Sequence, residues 1–486
     1  MLYIVTYSTC SMHSDWMNGP APAPAPAPAP KESSYSAVVK ISANILNYDW
    51  EQPYNTENVH QMSRTGFVIG SDINRGTLYI LTVAHIIDNA LDFWIEFPNL
   101  SSSGLGSNRF GGRILGIYLG CDIALIEIDF EHLDSATVLP MGAGDMIHYP
   151  NDLLALGYHN NVIVTVNAQE RTGLLRLIGA NEKDVVTPGS PLVDAENKII
   201  GMVTCDGLAV PIDIFQKIKE RLMKSRGPGK RAVQSNLSRK PMCNLIYAPT
   251  LGLSWANTTR LGNKFIGMPH ECCGYGIQVT KLQRFTLTKK SGIAKGDILV
   301  KMNGHNVNNW GDLLHTHDGM ERKITLDGFL RTLIPGEKIS ITFWSLKEQC
   351  FKSKSIAVSS TDHIYQIRER YPLLEPSPYI VWNGLTLMDL ALQHLTIEAF
   401  SHLRYLGYED HLDQGIVLVT SVRHGSAASI DRVIAPGELI SSCNGKKVHT
   451  IKEMSKVLEA HNTDEVGLVT TTGKAYIVSG SAVTVH

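Results

Sequence analysis

Between Ser36 and Val203 the chain repeats one device: a short apolar run rich in β-branched residues, then turn residues, then another such run. The runs fall at 37–41, 65–70, 79–86, 93–97, 113–118, 123–128 and 162–166. Strands this short, at this regular spacing, cannot build a helical bundle or a doubly wound parallel sheet; they predict an antiparallel barrel or sandwich. The habit breaks only at 211–223, where Ile214, Ile218 and Leu222 recur every four residues behind Pro211. Proline at the first turn and apolar residues on one stripe predict an amphipathic helix that closes the β domain.

A chain of 486 residues is too long for one core and implies about two to four domains. A formal net charge of −2 argues against a polyanion-binding protein, so nucleic acid is not an expected partner. The eight cysteines include no CxxC pair, which favours a reducing compartment: intracellular, cytoplasmic or nuclear, with an organelle left open. The first residues lack the basic flank and long apolar core of a secretory signal, and no run is apolar for long enough to span a bilayer. The alternating Ala-Pro tract at 19–30 is a stiff spacer, which sets 1–34 apart as a tail. Residues 224–240 are basic, rich in polar residues and free of acids, and read as part of a solvated linker over 224–246.

Beyond that linker the sequence echoes itself. A run at 276–282 leads to Lys295-Gly-Asp-Ile-Leu-Val-Lys-Met-Asn-Gly304, and a run at 415–422 leads to Pro436-Gly-Glu-Leu-Ile-Ser-Ser-Cys-Asn-Gly445. Each copy is expected to continue into a helix, from Trp310 in the first and from Ile451 in the second. Two small α+β modules follow, at 247–358 and 359–486.

Candidate chemistry lies in the first domain. His85 ends an apolar run where the chain turns, a place from which an imidazole can act as a base if something orients it. Asp122 opens the apolar run at 123–128, and a carboxylate flanked by buried residues needs a hydrogen-bond partner such as an imidazole N–H. Ser190 sits in the tight turn Pro188-Gly-Ser-Pro191, whose backbone N–H groups could face a developing oxyanion. His, Asp, Ser in that order along a β domain is the constellation of an acyl-transfer triad.

These landmarks resemble the HtrA/Deg family of trypsin-like serine proteases. Thr65-Gly-Phe-Val-Ile-Gly70, Leu81-Thr-Val-Ala-His85, Asp122-Ile-Ala-Leu125, Pro188-Gly-Ser-Pro-Leu-Val193 and Ile200-Gly-Met-Val203 match that family's landmarks in order. The echoed modules resemble its PDZ domains, with Leu251-Gly252-Leu253 and, more loosely, Asn383-Gly384-Leu385 at the peptide-binding loops. The resemblance implies a mainly β protein: a trypsin-like double β-barrel protease domain at 35–223, followed by two α+β PDZ-like domains. It also implies a serine endopeptidase acting on unfolded or damaged polypeptides, with His85 as base, Asp122 as its orienter and Ser190 as nucleophile. Peptides held at the PDZ grooves and assembly as a trimer or larger homo-oligomer are implied as well, with no cofactor and no metal.

One departure stands out. The family's serine loop reads Pro-Gly-Asn-Ser-Gly-Gly-Pro-Leu-Val, and here it is shorter. With Ser190 as nucleophile, the residue two before it is Pro188, which has no N–H to give, so Gly189 and Ser190 become the expected oxyanion donors. The alternative implied by the short loop is a pseudoprotease, a peptide-binding or chaperone-like scaffold that keeps the barrel without the hydrolysis.

Overall fold

The computed structural model describes residues 36–485 apart from 57, 98–108, 131–136, 143–152, 160–161, 172–173, 178–186, 205–207, 225–242, 284–285, 318–319, 409, 433, 461–464 and 480–483. The expected tail at 1–34 and most of the expected linker lie outside the described residues.

The first six strands are β1 (Val38–Leu46), β2 (Val59–Asp72), β3 (Thr77–Val83), β4 (Ala90–Glu96), β5 (Arg109–Tyr118) and β6 (Ile123–Asp129). They pair antiparallel in the order β5-β4-β1-β2-β3-β6, and β6 pairs back on β5 to close the barrel. Closure leaves no edge to protect and turns the alternating apolar residues inward, so that Ile41, Phe67, Ile80 and Leu125 share one core. Strands β7 (Leu153–His159), β8 (Val162–Arg171), β9 (Leu174–Leu177), β10 (Pro191–Val193), β11 (Ile199–Val203) and β12 (Leu208–Pro211) form a second closed barrel in the order β10-β11-β12-β9-β8-β7.

Helix α1 (Ile212–Met223) follows β12, with Pro211 as its N-cap residue. Asp213 in its first turn and Arg221 in its last suit the helix dipole. Its buried Ile214, Phe215, Ile218 and Leu222 join the core of the first barrel, so a helix that leaves the second barrel clamps the first. Strand β13 (Asn244–Ile246), at the end of the span expected to be linker, adds in parallel to β5.

The second unit contains β14 (Pro249–Thr250), β15 (Leu253–Ala256), β16 (Ile277–Leu282), β17 (Ile298–Met302), β18 (His305–Val307), β19 (Asp312–His317), β20 (Met320–Thr325), helix α2 (Leu326–Arg331), β21 (Lys338–Ser345), β22 (Cys350–Ala357) and β23 (Ser359–Ser360). The helix expected from Trp310 is instead β19, paired antiparallel with β20. The apolar pair Leu313-Leu314 fits a helix, but the Asp318-Gly319 pair that follows in sequence is a hairpin signal. The helix begins only at Leu326, where the Thr325 hydroxyl accepts the Gly328 N–H as an N-cap.

The third unit contains β24 (Tyr379–Trp382), β25 (Leu385–Asp389), β26 (Val417–Val422), β27 (Leu439–Cys443), β28 (Lys446–Lys447), helix α3 (Ile451–Ala460), β29 (Glu465–Thr470), β30 (Ala475–Ser479) and β31 (Thr484–Val485). Here the expected helix is present, and Ile451, Met454 and Leu458 bury its apolar face. The echo read in the sequence corresponds to β16–β17 in one unit and β26–β27 in the other, each pair antiparallel.

Both later units dock on the first barrel. Tyr118 Oη donates to the Leu333 carbonyl at 3.0 Å, Cys121 Sγ to that of Arg331 at 3.4 Å, and Arg221 Nη1 to that of Pro335 at 2.7 Å. Leu374, from the segment that enters the third unit, is buried in the first-barrel core. In that same segment Arg368 and Glu375 form a buried two-point ion pair, at 2.9 and 2.6 Å. Tyr247 Oη donates to Glu375 at 2.7 Å. Removing one member of such a pair strands the other's charge and costs about 3–5 kcal/mol, so this cluster fixes where the segment lies.

Candidate active site

The strand in the apolar run expected to deliver His85 stops two residues before the histidine. Strand β3 stops at Val83, and Ala84–Ile86 form a single 3-10 turn that lifts the imidazole off the sheet. Opposite it, the chain leaves the 3-10 turn Leu119–Cys121 through Asp122 in the left-handed region, φ 56° and ψ 43°. That conformation costs an ordinary residue roughly 1–2 kcal/mol and is least costly for Asn and Asp. Its effect is to turn the Asp122 carboxylate back onto the histidine turn. Oδ2 meets His85 Nδ1 at 2.8 Å, Oδ1 accepts the His85 backbone N–H at 2.9 Å, and the Asp122 carbonyl accepts the Ala84 N–H at 3.0 Å. Three contacts from one residue fix both the position and the rotation of the ring.

The other face of the ring is occupied. Arg64, on β2, donates from Nε to His85 Nε2 at 3.0 Å and from Nη1 to the Ser63 carbonyl at 3.0 Å. Arginine nitrogens only donate, so Nε2 must be the acceptor and Nδ1 carries the proton given to Asp122. Arg64 was not anticipated from the sequence.

Ser190 is fully buried, and its Oγ donates to the Thr187 carbonyl at 2.6 Å. It makes no hydrogen bond with His85. Both expected oxyanion donors are also engaged: the Gly189 N–H bonds the Val203 carbonyl at 2.7 Å and the Ser190 N–H the Thr187 carbonyl at 3.3 Å. The Val203 N–H in turn donates to the Ser190 carbonyl at 2.8 Å, so this turn is drawn into the β10–β11 ladder. Thr65 holds the loop from the other side. Its N–H donates to the Pro188 carbonyl at 3.1 Å, and its hydroxyl bonds that of Thr187. Gly189 has φ +90°, and a Cβ there would stand 1.9 Å from the Thr65 carbonyl oxygen. Only glycine fits.

Strand β10 begins at Pro191, which gives a second way to count the loop. Counted back from Pro191-Leu192-Val193, the family's serine falls on Pro188, and Ser190 takes the place of its second glycine. The reading centred on the Gly-Ser pair missed this register, and counting from the strand would have found it.

Two further groups border the histidine. Burial pushes the Asp88 carboxyl up to about 7, with Asp122 and Glu369 raising it further and His85 opposing them. Glu369 acts on Asp88 and accepts from Tyr371 Oη at 2.8 Å, so the segment entering the third unit reaches this side of the cleft. Burial pushes the Cys121 thiol up to about 12, which leaves it without thiolate character although it adjoins Asp122. Among the described residues no group of three or more His, Cys, Asp or Glu side chains could hold a metal ion.

The expected peptide-binding loops differ from each other. Leu251 and Leu253 are buried, and Gly252, at φ +62°, gives its N–H to Thr250 Oγ1 at 3.0 Å. Strand β15, which starts at Leu253, pairs only with β16 among the described residues, so its second edge is open for an added strand. Asn383 and Gly384, at φ 47° and 83°, are instead the tight two-residue turn of the β24–β25 hairpin. Leu385 opens β25, which is paired with β24 on one side and β26 on the other. No edge there is left for a peptide.

Several known proteins are similar to this chain. Residues 64–202 match the model of a trypsin-like peptidase domain. A probable periplasmic serine endoprotease, DegP-like, from Chlamydia trachomatis serovar D is 21% identical over 434 residues, which cover 84% of this chain and 72% of that protein. The serine protease Do-like HtrB of Bacillus subtilis is 21% identical over 279 residues, 51% of this chain and 55% of that one. Among solved structures, the HtrA-type protease AlgW with a decapeptide aligns at 15% identity and a TM-score of 0.43, over 67% of this chain and 96% of that one. Residues 64–202 thus match a trypsin-like peptidase domain, and the chain as a whole is similar to DegP-like and HtrA-type serine proteases.

Proposed function

We propose that the chain is a serine-type endopeptidase of the HtrA/DegP kind, acting on unfolded or damaged polypeptides, whose base is assembled while its nucleophile is held back. The observation that carries this reading is the double hold of Asp122 on His85, through the backbone N–H at 2.9 Å and Nδ1 at 2.8 Å. A carboxylate in that place fixes the tautomer and stabilises the imidazolium formed during acyl transfer. In the working state Thr187–Ser190 turns outward, and Ser190 Oγ attacks the scissile carbonyl as its proton passes to His85 Nε2. The same proton then goes to the leaving amine, and water releases the acyl group by the reverse sequence. Gly189 and Ser190 N–H groups would face the oxyanion only after leaving the Val203 and Thr187 carbonyls. Each missing donor costs about a hundred- to a thousandfold in rate, so turnover is expected to be slow.

A second reading is favoured by specific observations. Pro188 stands where the family's serine falls when the loop is counted from β10, and Ser190 Oγ is buried against Thr187. On that reading the chain is a pseudoprotease, a peptide-binding scaffold. The two are separated by a fluorophosphonate probe on the folded full chain. Adduct on Ser190 that is lost in Ser190→Ala and His85→Ala supports the peptidase, and a folded chain that takes no adduct supports the scaffold.

The second and third units are read as PDZ-like domains at 247–358 and 359–486, with extended peptides docking at β15 beside Leu251, Gly252 and Leu253. The paired edges of β25 give the third unit an assembly role rather than a peptide groove at Asn383, Gly384 and Leu385. Assembly as a homo-oligomer, trimer or larger, is part of the same reading and is tested by light scattering on the full chain. The Chlamydia relative carries a periplasmic name. The cytoplasm, nucleus or an organelle is the compartment proposed for this chain, on the spacing of its cysteines in sequence, which includes no CxxC pair. No helix among the described residues is long and apolar enough to cross a membrane.

A further inference from the structure

The short helix Arg260–Phe265 in the second unit is built inside out. Thr259 caps it, its hydroxyl accepting the Gly262 N–H at 3.0 Å. The side chain it turns inward is an amide: Asn263 is 1% exposed, and its Nδ2 donates to the Cys273 and Tyr275 carbonyls at 3.0 Å each. A helix turns about 100° per residue, so Leu261 and Phe265, two positions to either side of Asn263, share the opposite face. They are 80% and 92% exposed. Trp310, 71% exposed, belongs to the same corner, because the Thr258 N–H just before the helix donates to the Asn309 carbonyl at 3.1 Å. Three large apolar side chains gathered this far out of the fold mark a surface that something else covers. Standing clear of their own fold, they wall no groove; they are placed to enter a partner.

The surrounding charges say what kind of partner. Between 256 and 276 the sequence has Arg260 and Lys264, both exposed, and Glu271 as its one acid. The turn between β21 and β22 adds exposed Lys347, while its Glu348 is paired with Lys352. That turn adjoins the end of the helix, where a Cβ on Gly267 would stand 2.2 Å from Gln349 Oε1. The bias extends through the unit: residues 247–358 hold 15 Lys and Arg against 8 Asp and Glu, whereas 359–486 hold 10 against 14. A partner that takes in Leu, Phe and Trp and attracts cations is apolar within and negative at its rim. An anionic bilayer has that profile, with acyl chains beneath acidic headgroups and a boundary where tryptophan settles.

We propose that Leu261, Phe265 and Trp310 seat the second unit on an anionic lipid surface, with Arg260, Lys264 and Lys347 at the headgroups. The contact is peripheral and needs no membrane-crossing segment. It goes beyond the proposed peptidase reading and stands whether or not the chain hydrolyses peptides.

The test is flotation of the folded full chain with vesicles of phosphatidylcholine alone and of a roughly 7:3 mixture with phosphatidylserine. Each of the three basic residues adds about fivefold, so the mixed vesicles are expected to hold the chain about a hundredfold better at low salt. That difference is expected to shrink as salt is raised. Leu261→Ser together with Phe265→Ser, matched to wild type by melting curve, is expected to lower partitioning about tenfold or more. Arg260→Gln together with Lys264→Gln is expected to lower it about 25-fold on the mixed vesicles and little on the neutral ones. A chain that stays in solution with the mixed vesicles, or floats equally well without Leu261 and Phe265, would overturn the proposal. Self-association that is lost in the Leu261→Ser, Phe265→Ser chain, with no vesicle binding by wild type, would overturn it too, since the corner would then join copies of this chain.

Discussion

The two sides of the cleft are built to different degrees of readiness. On the first barrel, one residue in a rare backbone conformation spends both carboxylate oxygens and its carbonyl on the histidine turn, and the imidazole is fixed. On the second barrel, the hydroxyl and N–H groups expected to work beside it are consumed by their own loop and by β11. The lesson is that the base and its orienter persist as a structural joint between two turns, whereas a nucleophile loop needs groups left unsatisfied. Unsatisfied buried groups are costly, and a shortened loop relaxes into the ladder.

The largest effect that would sharpen this contrast is expected from Asp122→Asn. The amide cannot hold the same tautomer, and peptidase activity on an unfolded protein is expected to fall by about four orders of magnitude, read as kcat/KM. Next is Gly189→Ala, which places a methyl against the Thr65 carbonyl in a conformation that disfavours it. It is expected to lower stability by about 4 kcal/mol in denaturant unfolding, and a small change would show that the loop is not pinned where the structure has it.

A pH effect follows from Asp88. Its folded carboxyl titrates near 7 against 3.8 unfolded, so between those values the folded chain keeps a proton that the unfolded chain has lost. The stability tied to this proton is whole at low pH and is lost as pH rises through about 7. The melting temperature of wild type relative to Asp88→Asn is therefore expected to fall between about pH 4 and pH 8, and a flat difference would remove Asp88 from the account. The smallest change is expected from Ser190→Ala. Losing the bond to the Thr187 carbonyl costs about 1 kcal/mol in thermal unfolding, and no cost at all would mean that the hydroxyl is not seated there.

Much of the fold was legible because two-residue alternation and turn residues are local signals. The run expected at 79–86, the run after Asp122 and the helix behind Pro211 all formed close to where their patterns put them. His85 and Asp122 were legible because each ends or opens a buried run at a turn. Arg64 was not, because its role comes from a contact between β2 and the turn after β3. In sequence it is only an arginine before Thr-Gly-Phe-Val. The serine loop can be counted in two ways. Gly189-Ser190 looks like a nucleophile turn by residue type, whereas counting back from β10 puts Pro188 at the family's serine. Asn383-Gly384 forms a hairpin turn, and Asn-Gly between apolar runs is the plainest hairpin signal available.

The account's central claim is that an imidazole oriented by Asp122 faces a hydroxyl held out of its reach but able to return. Fluorophosphonate labelling of the folded full chain, with the adduct mapped by mass spectrometry, tests it most directly. The account predicts slow, single-site labelling at Ser190, abolished by His85→Ala. A folded chain that takes no label over days would contradict it.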